Sequence, residues 1–189
     1  MIPAAGSSER MGVLDKLLLP VSGVPLIELT VASVEESVEK IVVAVSPRRA
    51  DEVRAILGQR ATVVVNPRPQ DGMGSSIAAG VRTAGKADGY MLLPGDMPLV
   101  KPETVAKIAA WFLAVPNQIA VPVLDGRQGH PVVFPAWAQV ALGSLSGDEG
   151  ARSVIESNRD RVTWVDVGDS GIWRDIDVPD DYHSLVASL

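Results

Sequence analysis

Short apolar runs alternate with stretches of helical spacing through the first part of the chain, and this alternation restricts the fold more than any other feature. "KIVVAV" (Lys40–Val45), "ATVVVN" (Ala61–Asn66) and "GYMLLPG" (Gly89–Gly95) are β-branched or apolar, as strands covered on both faces should be. Around them lie helical stretches at Pro25–Ser37, Arg48–Leu57, Ser75–Ala84 and Pro102–Ala114, the last opened by a proline suited to a first helical turn. Strand–helix alternation implies parallel pairing with right-handed crossovers. After Asn117 the rhythm changes. "QIAVPVLDGRQGHPVVF" reads as two apolar runs around Asp125–Gly129, a hairpin-like excursion. A helix at about Asp148–Ser157, a strand "VTWVDV" and a last helix after Pro179 complete the chain. The expectation is one three-layer α/β domain over residues 1–189, with a mostly parallel sheet and an added antiparallel section.

Composition excludes several kinds of protein. Hydrophobic residues make up 47% and charged residues 21%, a globular balance rather than a disordered one. The absence of cysteine removes disulfides, thiolate metal ligands and a Cys nucleophile. With 17 Lys+Arg against 23 Asp+Glu the formal charge is −6, a poor footprint for nucleic-acid binding. No apolar run reaches the roughly 18 residues of a membrane span, and no basic segment followed by an apolar stretch suggests a secretory signal; with no cysteine, a reducing, cytoplasmic location is the expectation.

Open parallel sheets bind ligands beyond the carboxyl ends of their strands, so the turns after the strands carry the information. The opening stretch "AAGSSERMGVLDK" (Ala4–Lys16) fits neither common glycine pattern. Gly12 is followed by Val13 and Lys16 by Leu17, which excludes a P-loop, and Gly6-Ser7-Ser8 does not supply G-x-G-x-x-G. What remains is a run of small residues whose amides can approach phosphates, with Arg10 and Lys16 as cations; a surface loop with incidental charges is the plainer alternative. "LLPGDMPLV" ends a strand and presents Asp96. That carboxylate either caps a turn or, beside phosphates, serves as a hard-oxygen ligand for Mg2+. In "WRDIDVPDDY", Asp175 and Asp177 stand one strand period apart, while Asp180 and Asp181 suit the first turn of the last helix.

Together "AAGSSERMG…DKLLLPVSGVPLI", "GMGSSIAAGV", "PGDMPLV", "GHPVVF", "GDEGAR" and "DIDVPDDY" resemble, in order and over nearly the whole chain, the small MobA-like nucleotidyltransferases of molybdenum cofactor biosynthesis, and most closely their cytidylyl branch. The resemblance implies a Rossmann-like nucleotidyltransferase fold and Mg2+-dependent transfer of CMP from CTP to molybdopterin, with Mn2+ as a substitute ion and a molybdoenzyme as recipient of the product. It implies that Ala4, Ala5, Gly6, Ser7, Arg10 and Lys16 hold the triphosphate, and that Asp96 and Asp177 hold the metal, with Asp175 the alternative to Asp177. Gly74, Ser75, Pro94 and Gly95 are the expected nucleoside contacts, although Ser75 equally suits a helix N-cap. Arg127, His130 and Arg152 are the expected acceptor contacts; a structural His130 and an Arg152 that belongs only to its helix are the plain alternatives. Because the guanylyl branch opens with Ala-Gly-Gly, Ala4-Ala5-Gly6 favours CTP over GTP.

The four tryptophans are scattered, as packing residues are, and His183 is expected at the surface. Only Met1-Ile2-Pro3 precede the opening stretch, so the first strand is expected to be very short or to begin upstream of Met1. Another phosphorylated acceptor, or a nucleotide-binding maturation chaperone, would share much of this pattern. The joint presence of Arg10, Lys16, Asp96 and Asp177 favours an enzyme.

Overall fold

The computed structural model describes residues 1–6, 15–148 and 150–187. Its strands are β1 (Ile2–Ala4), β2 (Pro20–Val21), β3 (Val24–Pro25), β4 (Val42–Val45), β5 (Thr62–Val65), β6 (Gly89–Leu92), β7 (Ile119–Leu124), β8 (Arg127–Gln128), β9 (Val132–Pro135) and β10 (Val162–Asp166). The α-helices are α1 (Leu26–Val34), α2 (Ala50–Leu57), α3 (Met73–Ala84), α4 (Pro102–Ala114), α5 (Gln139–Gly143), α6 (Arg152–Glu156) and α7 (Pro179–Ala187).

β1, β4 and β5 pair in parallel, and β10 runs parallel to β7. β9 is antiparallel to both β6 and β7. Three backbone bonds join the two groups: Met1 N–H to Met91 O, Leu93 N–H to Met1 O and Gly95 N–H to Pro3 O. They lay β6 and its extension alongside β1 in parallel, giving the order β5-β4-β1-β6-β9-β7-β10. β1 has three residues, and the bonds at Met1 and Pro3 hold it inside the sheet.

Strand alternation divides the interior into two layers. Met91 and Leu93 point into a cluster built with α1, α2 and α4, which also takes Val43 and Val45 from β4 and Leu185 from α7. Tyr90 and Leu92 point the other way, toward Ile77 and Val81 of α3, Leu142 of α5 and Val154 of α6. Both faces of the sheet are therefore covered, which explains the near-continuous apolar strands.

Several boundaries differ from expectation, each for a local reason. α3 starts at Met73 rather than Ser75, because Gly72 takes φ +84° and its N–H returns to Pro69 O. A Cβ at Gly72 would stand 2.3 Å from the Gly147 backbone, so only glycine fits where these two turns dock. α6 is five residues long instead of spanning 148–157; Gly147 and Gly150 both have positive φ and keep the preceding turn non-helical. The β2–β3 hairpin and α5 carry no strong sequence signal and were not expected. The excursion after β7 is a hairpin as read, turning at Asp125 (φ +51°) and Gly126 (φ +75°), an Asp-Gly pair suited to a two-residue loop.

Candidate active site

The carboxyl ends of β1, β4 and β6 open onto a cleft of about 1610 Å³. Pockets for drug-sized ligands run to roughly 300–1,000 Å³, and this cleft is larger. On its floor Lys16, which follows the opening stretch, sends Nζ to Asp96 Oδ2 at 2.6 Å and to Asp177 Oδ1 at 2.7 Å. Lys16 is only 9% exposed. Burial works against its ammonium, but the charge of Asp96 and the hydrogen bonds to Asp177 and Asp96 outweigh it and raise the pKa above the ordinary lysine value.

Three elements produce this meeting. Asp96 follows the β6 extension where Gly95 pairs with Pro3. Asp175 and Asp177 lie on a segment between the turn at Ser170–Trp173 and α7. The buried Ile176 between them donates its N–H to Asp96 O at 3.0 Å, which sets that segment against Asp96. Asp96, Asp175 and Asp177 each offer one oxygen, all within 4.8 Å of one another. Burial first, and the charges of Asp177 and Asp96 after it, push the Asp175 carboxyl above its ordinary value. Such a set of hard oxygens suits Mg2+ or Mn2+ and makes both Asp175 and Asp177 available as ligands.

Asp181 behaves as a cap, accepting from the Asp177 and Val178 N–H groups at 2.9 and 3.0 Å, and those bonds hold its carboxyl below the usual range. Asp169, which the sequence reading passed over, is likewise structural. Buried, it accepts from Lys101 N–H and Thr104 Oγ1 at the start of α4 and from Gly171 N–H in the turn Ser170–Trp173.

The other expected contacts divide. Ala4, Ala5, Gly6, Pro94, Arg127, His130 and Arg152 line the cleft. No described atom lies within 4 Å of where a Cβ on Gly6 would stand. Ser7 and Arg10 fall outside the described residues. Gly95 is not among the residues that line the cleft: its N–H is taken by Pro3 O and its carbonyl accepts from Thr30 Oγ1, so it supports the wall from behind. Gly74 and Ser75 are not among the cleft-lining residues either. Gly74 donates to Gly147 O and packs on Ser146, and Ser75 Oγ donates to Gly72 O while accepting from Asn66 Nδ2. The earlier start of α3 places Gly72, Met73, Ser76 and Ile77 on the cleft instead. Ser75 is not the N-cap either, since that position belongs to Gly72.

At the far end of the cleft, Gly129 donates to Pro122 O and His130 N–H to Ile172 O at 2.7 Å. A Cβ on Gly129 would meet Ile172 O at 2.2 Å, so only glycine allows this approach. The His130 Nδ1 is buried and has no hydrogen-bond partner among the described residues. Burial pushes the imidazole below its ordinary pKa, against weaker pulls from the Leu92 backbone and Asp96, so it stays neutral near pH 7. Arg127 stacks 4.9 Å from the Trp173 ring centre, which makes Trp173 part of the cleft wall rather than only a packing residue. Arg152 pairs with Glu156 at 3.2 Å on the exposed side of α6.

The model of the MobA-like NTP transferase domain matches residues 1–162. The chain belongs to this family. Among curated relatives, this MobA-like transferase is 31% identical over 193 residues to nicotine blue oxidoreductase of Paenarthrobacter nicotinovorans, covering 97% of this chain and 93% of that one. It is 30% identical over 190 residues to purine catabolism protein PucB of Bacillus subtilis, covering 95% and 91%. A molybdenum cofactor guanylyltransferase of Shewanella amazonensis is 30% identical over 136 residues, covering 71% and 66%. Rv0371c of Mycobacterium tuberculosis, solved as a complex with manganese, superposes with a TM-score of 0.78 at 28% identity, covering 100% of this chain and 97% of that one. A nucleotidyl transferase of Methanothermobacter gives a TM-score of 0.81 at 26% identity, covering 99% and 94%. No helix among the described residues is long and apolar enough to cross a membrane.

Proposed function

We propose that this MobA-like transferase moves CMP from CTP to the terminal phosphate of a molybdopterin-type acceptor and releases pyrophosphate, acting as one domain in the cytoplasm. The observation that carries the reading is the contact of Lys16 with Asp96 and Asp177 on the floor of the cleft. The molybdenum cofactor guanylyltransferase among the relatives supports a molybdopterin acceptor, and Ala5 in place of the guanylyl branch's glycine supports CTP.

An oxygen of the acceptor phosphate attacks the α-phosphorus of CTP, a new P–O bond forms, and the bond to the β-phosphate oxygen breaks with its electron pair leaving on pyrophosphate. The attacking phosphate is already ionised at pH 7, so no general base is required, and neutral His130 is not asked to be one. Positioning and charge neutralisation supply the rate, as in other phosphoryl transfers. Gly6, Ser7 and Arg10 hold the β- and γ-phosphates. Lys16 turns from its carboxylates toward the α-phosphate and the departing pyrophosphate. Asp96 and Asp177, with Asp175 beside them, hold Mg2+ or Mn2+, which when bound neutralises charge on the triphosphate oxygens. Gly72, Met73 and Ser76 replace Gly74 and Ser75 as the nucleoside wall opposite Pro94. Arg127 and Arg152 meet the acceptor's anionic groups, and His130 offers a neutral ring nitrogen to a polar edge.

Pyrophosphate release measured with purified molybdopterin, Mg2+ and each nucleoside triphosphate in turn tests the reading. CTP with molybdopterin should give the highest kcat/KM. A preference for GTP moves the protein to guanylyl transfer, and no release with any pair overturns the proposal.

A further inference from the structure

Arg49 is 2% exposed and buried at the head of α2, with no place in the reaction described above. A guanidinium is rarely taken out of water unless its donors are met. Pro47 and Arg49 form a single turn after β4, in which Arg49 N–H donates to Ser46 O. From there the side chain reaches the two described residues that flank positions 7–14. Its Nη1 donates to Gly6 O at 2.6 Å, and its Nε pairs with the Asp15 carboxylate. The second oxygen of that carboxylate accepts from Leu17 N–H at 3.3 Å and caps the turn Lys16–Leu18. Leu18 N–H closes the same turn on Asp15 O at 3.0 Å.

We propose that Arg49 is a positioning residue for nucleotide binding. It orients Asp15, Asp15 orders the turn that carries Lys16, and the same guanidinium anchors Gly6 at the opposite edge of the opening stretch. One rigid fork reaches both partners, which a lysine's single ammonium does not do in the same geometry. The role rests on the reading that Lys16 and Gly6 serve a nucleoside triphosphate.

Arg49→Lys and Asp15→Asn test it independently. Asp15→Asn keeps the oxygen that caps Leu17 while removing the charge opposite Arg49. In each variant the dissociation constant for CTP with Mg2+ and the KM for CTP should rise about tenfold, while the KM for molybdopterin stays within twofold. The double variant should be no worse than the worse single one, because the Arg49–Asp15 contact that Asp15→Asn removes is already lost in Arg49→Lys. A purely structural role gives a different pattern: loss of folded protein lowers apparent kcat and leaves both KM values unchanged. Wild-type protein that binds CTP beside variants with unchanged affinity overturns the role of Arg49 alone. Wild-type protein that binds neither CTP nor GTP overturns the nucleotide reading and this inference with it.

Discussion

Lys16 and Asp96, eighty residues apart in sequence, meet at 2.6 Å on the cleft floor, and Asp177 closes on the same ammonium from a third segment. The lysine thus occupies carboxylates that also suit a divalent cation. On the proposed reading a divalent cation bound there would compete with Lys16 for the same oxygens and would leave Lys16 available to a triphosphate.

This competition predicts two opposite effects of Lys16→Ala. Turnover should fall by more than the affinity for CTP, because the charge matters most as pyrophosphate leaves. In the absence of nucleotide, Mn2+ should bind more tightly, because a cation beside the carboxylates is gone. Two unit charges 4 Å apart interact by about 4 kcal/mol near a protein surface, so even a heavily screened remainder gives a measurable gain. Titration of Mn2+ by electron paramagnetic resonance checks the second effect; weaker binding in the variant contradicts it.

Asp96→Asn preserves shape and removes a charge from the metal-ligand set. The expected loss in kcat is about 10²- to 10³-fold, the scale of removing one electrostatic contact to a transition state. The melting temperature should shift by only a few degrees, since about 1 kcal/mol moves a chain of this size by roughly 2–4 °C. Near-normal Mg2+-dependent turnover would remove Asp96 from the site.

His130 predicts a pH effect on stability. Its folded pKa lies below the ordinary value of about 6.5, so the unfolded chain takes up the proton first as pH falls. Stability is therefore lost as pH drops through about 6.5, and the loss continues until the folded pKa is reached, at no more than about 1.4 kcal/mol per pH unit from this group. Urea midpoints at pH 7.5 and 5.5 for wild type and His130→Gln isolate the term, with a smaller drop expected in the variant. Equal drops would show that His130 titrates alike in both states.

Ala5 is buried in the cleft wall beside Gly6. Ala5→Gly should relax the preference for CTP over GTP without inverting it, because one methyl in a pocket is worth about 1–3 kcal/mol, or roughly 10- to 200-fold. The kcat/KM values for both nucleotides in both proteins measure this. An unchanged ratio separates Ala5 from base selection.

Much of this fold was readable before any coordinates. Pro102 and the apolar spacing after it mark α4 to the residue, since proline suits a first turn and the packed face keeps helical period. Period two anticipates that Asp175 and Asp177 share a face, and their carboxylates do lie together beside Asp96, though the segment is extended chain rather than a strand. Their arrival at Asp96 was not readable, because it depends on Ile176 pairing with the Asp96 backbone. Gly74 and Ser75 are not among the cleft-lining residues: α3 starts two residues earlier than its spacing suggests, Gly74 packs on the 146–147 turn, and Ser75 Oγ bonds Gly72 O and Asn66. Arg49 has no local signal at all. In sequence it is one of two adjacent arginines after a strand, and only the fold separates the buried Arg49 from the exposed Arg48.

The most direct measurement follows the α-phosphate itself. CTP labelled at that phosphorus, incubated with molybdopterin, Mg2+ and the protein, should transfer its label to the acceptor in a one-to-one ratio with pyrophosphate released, and Asp96→Asn should abolish the transfer. Label that remains in CTP or appears only as free CMP, or transfer that persists undiminished in Asp96→Asn, contradicts the account.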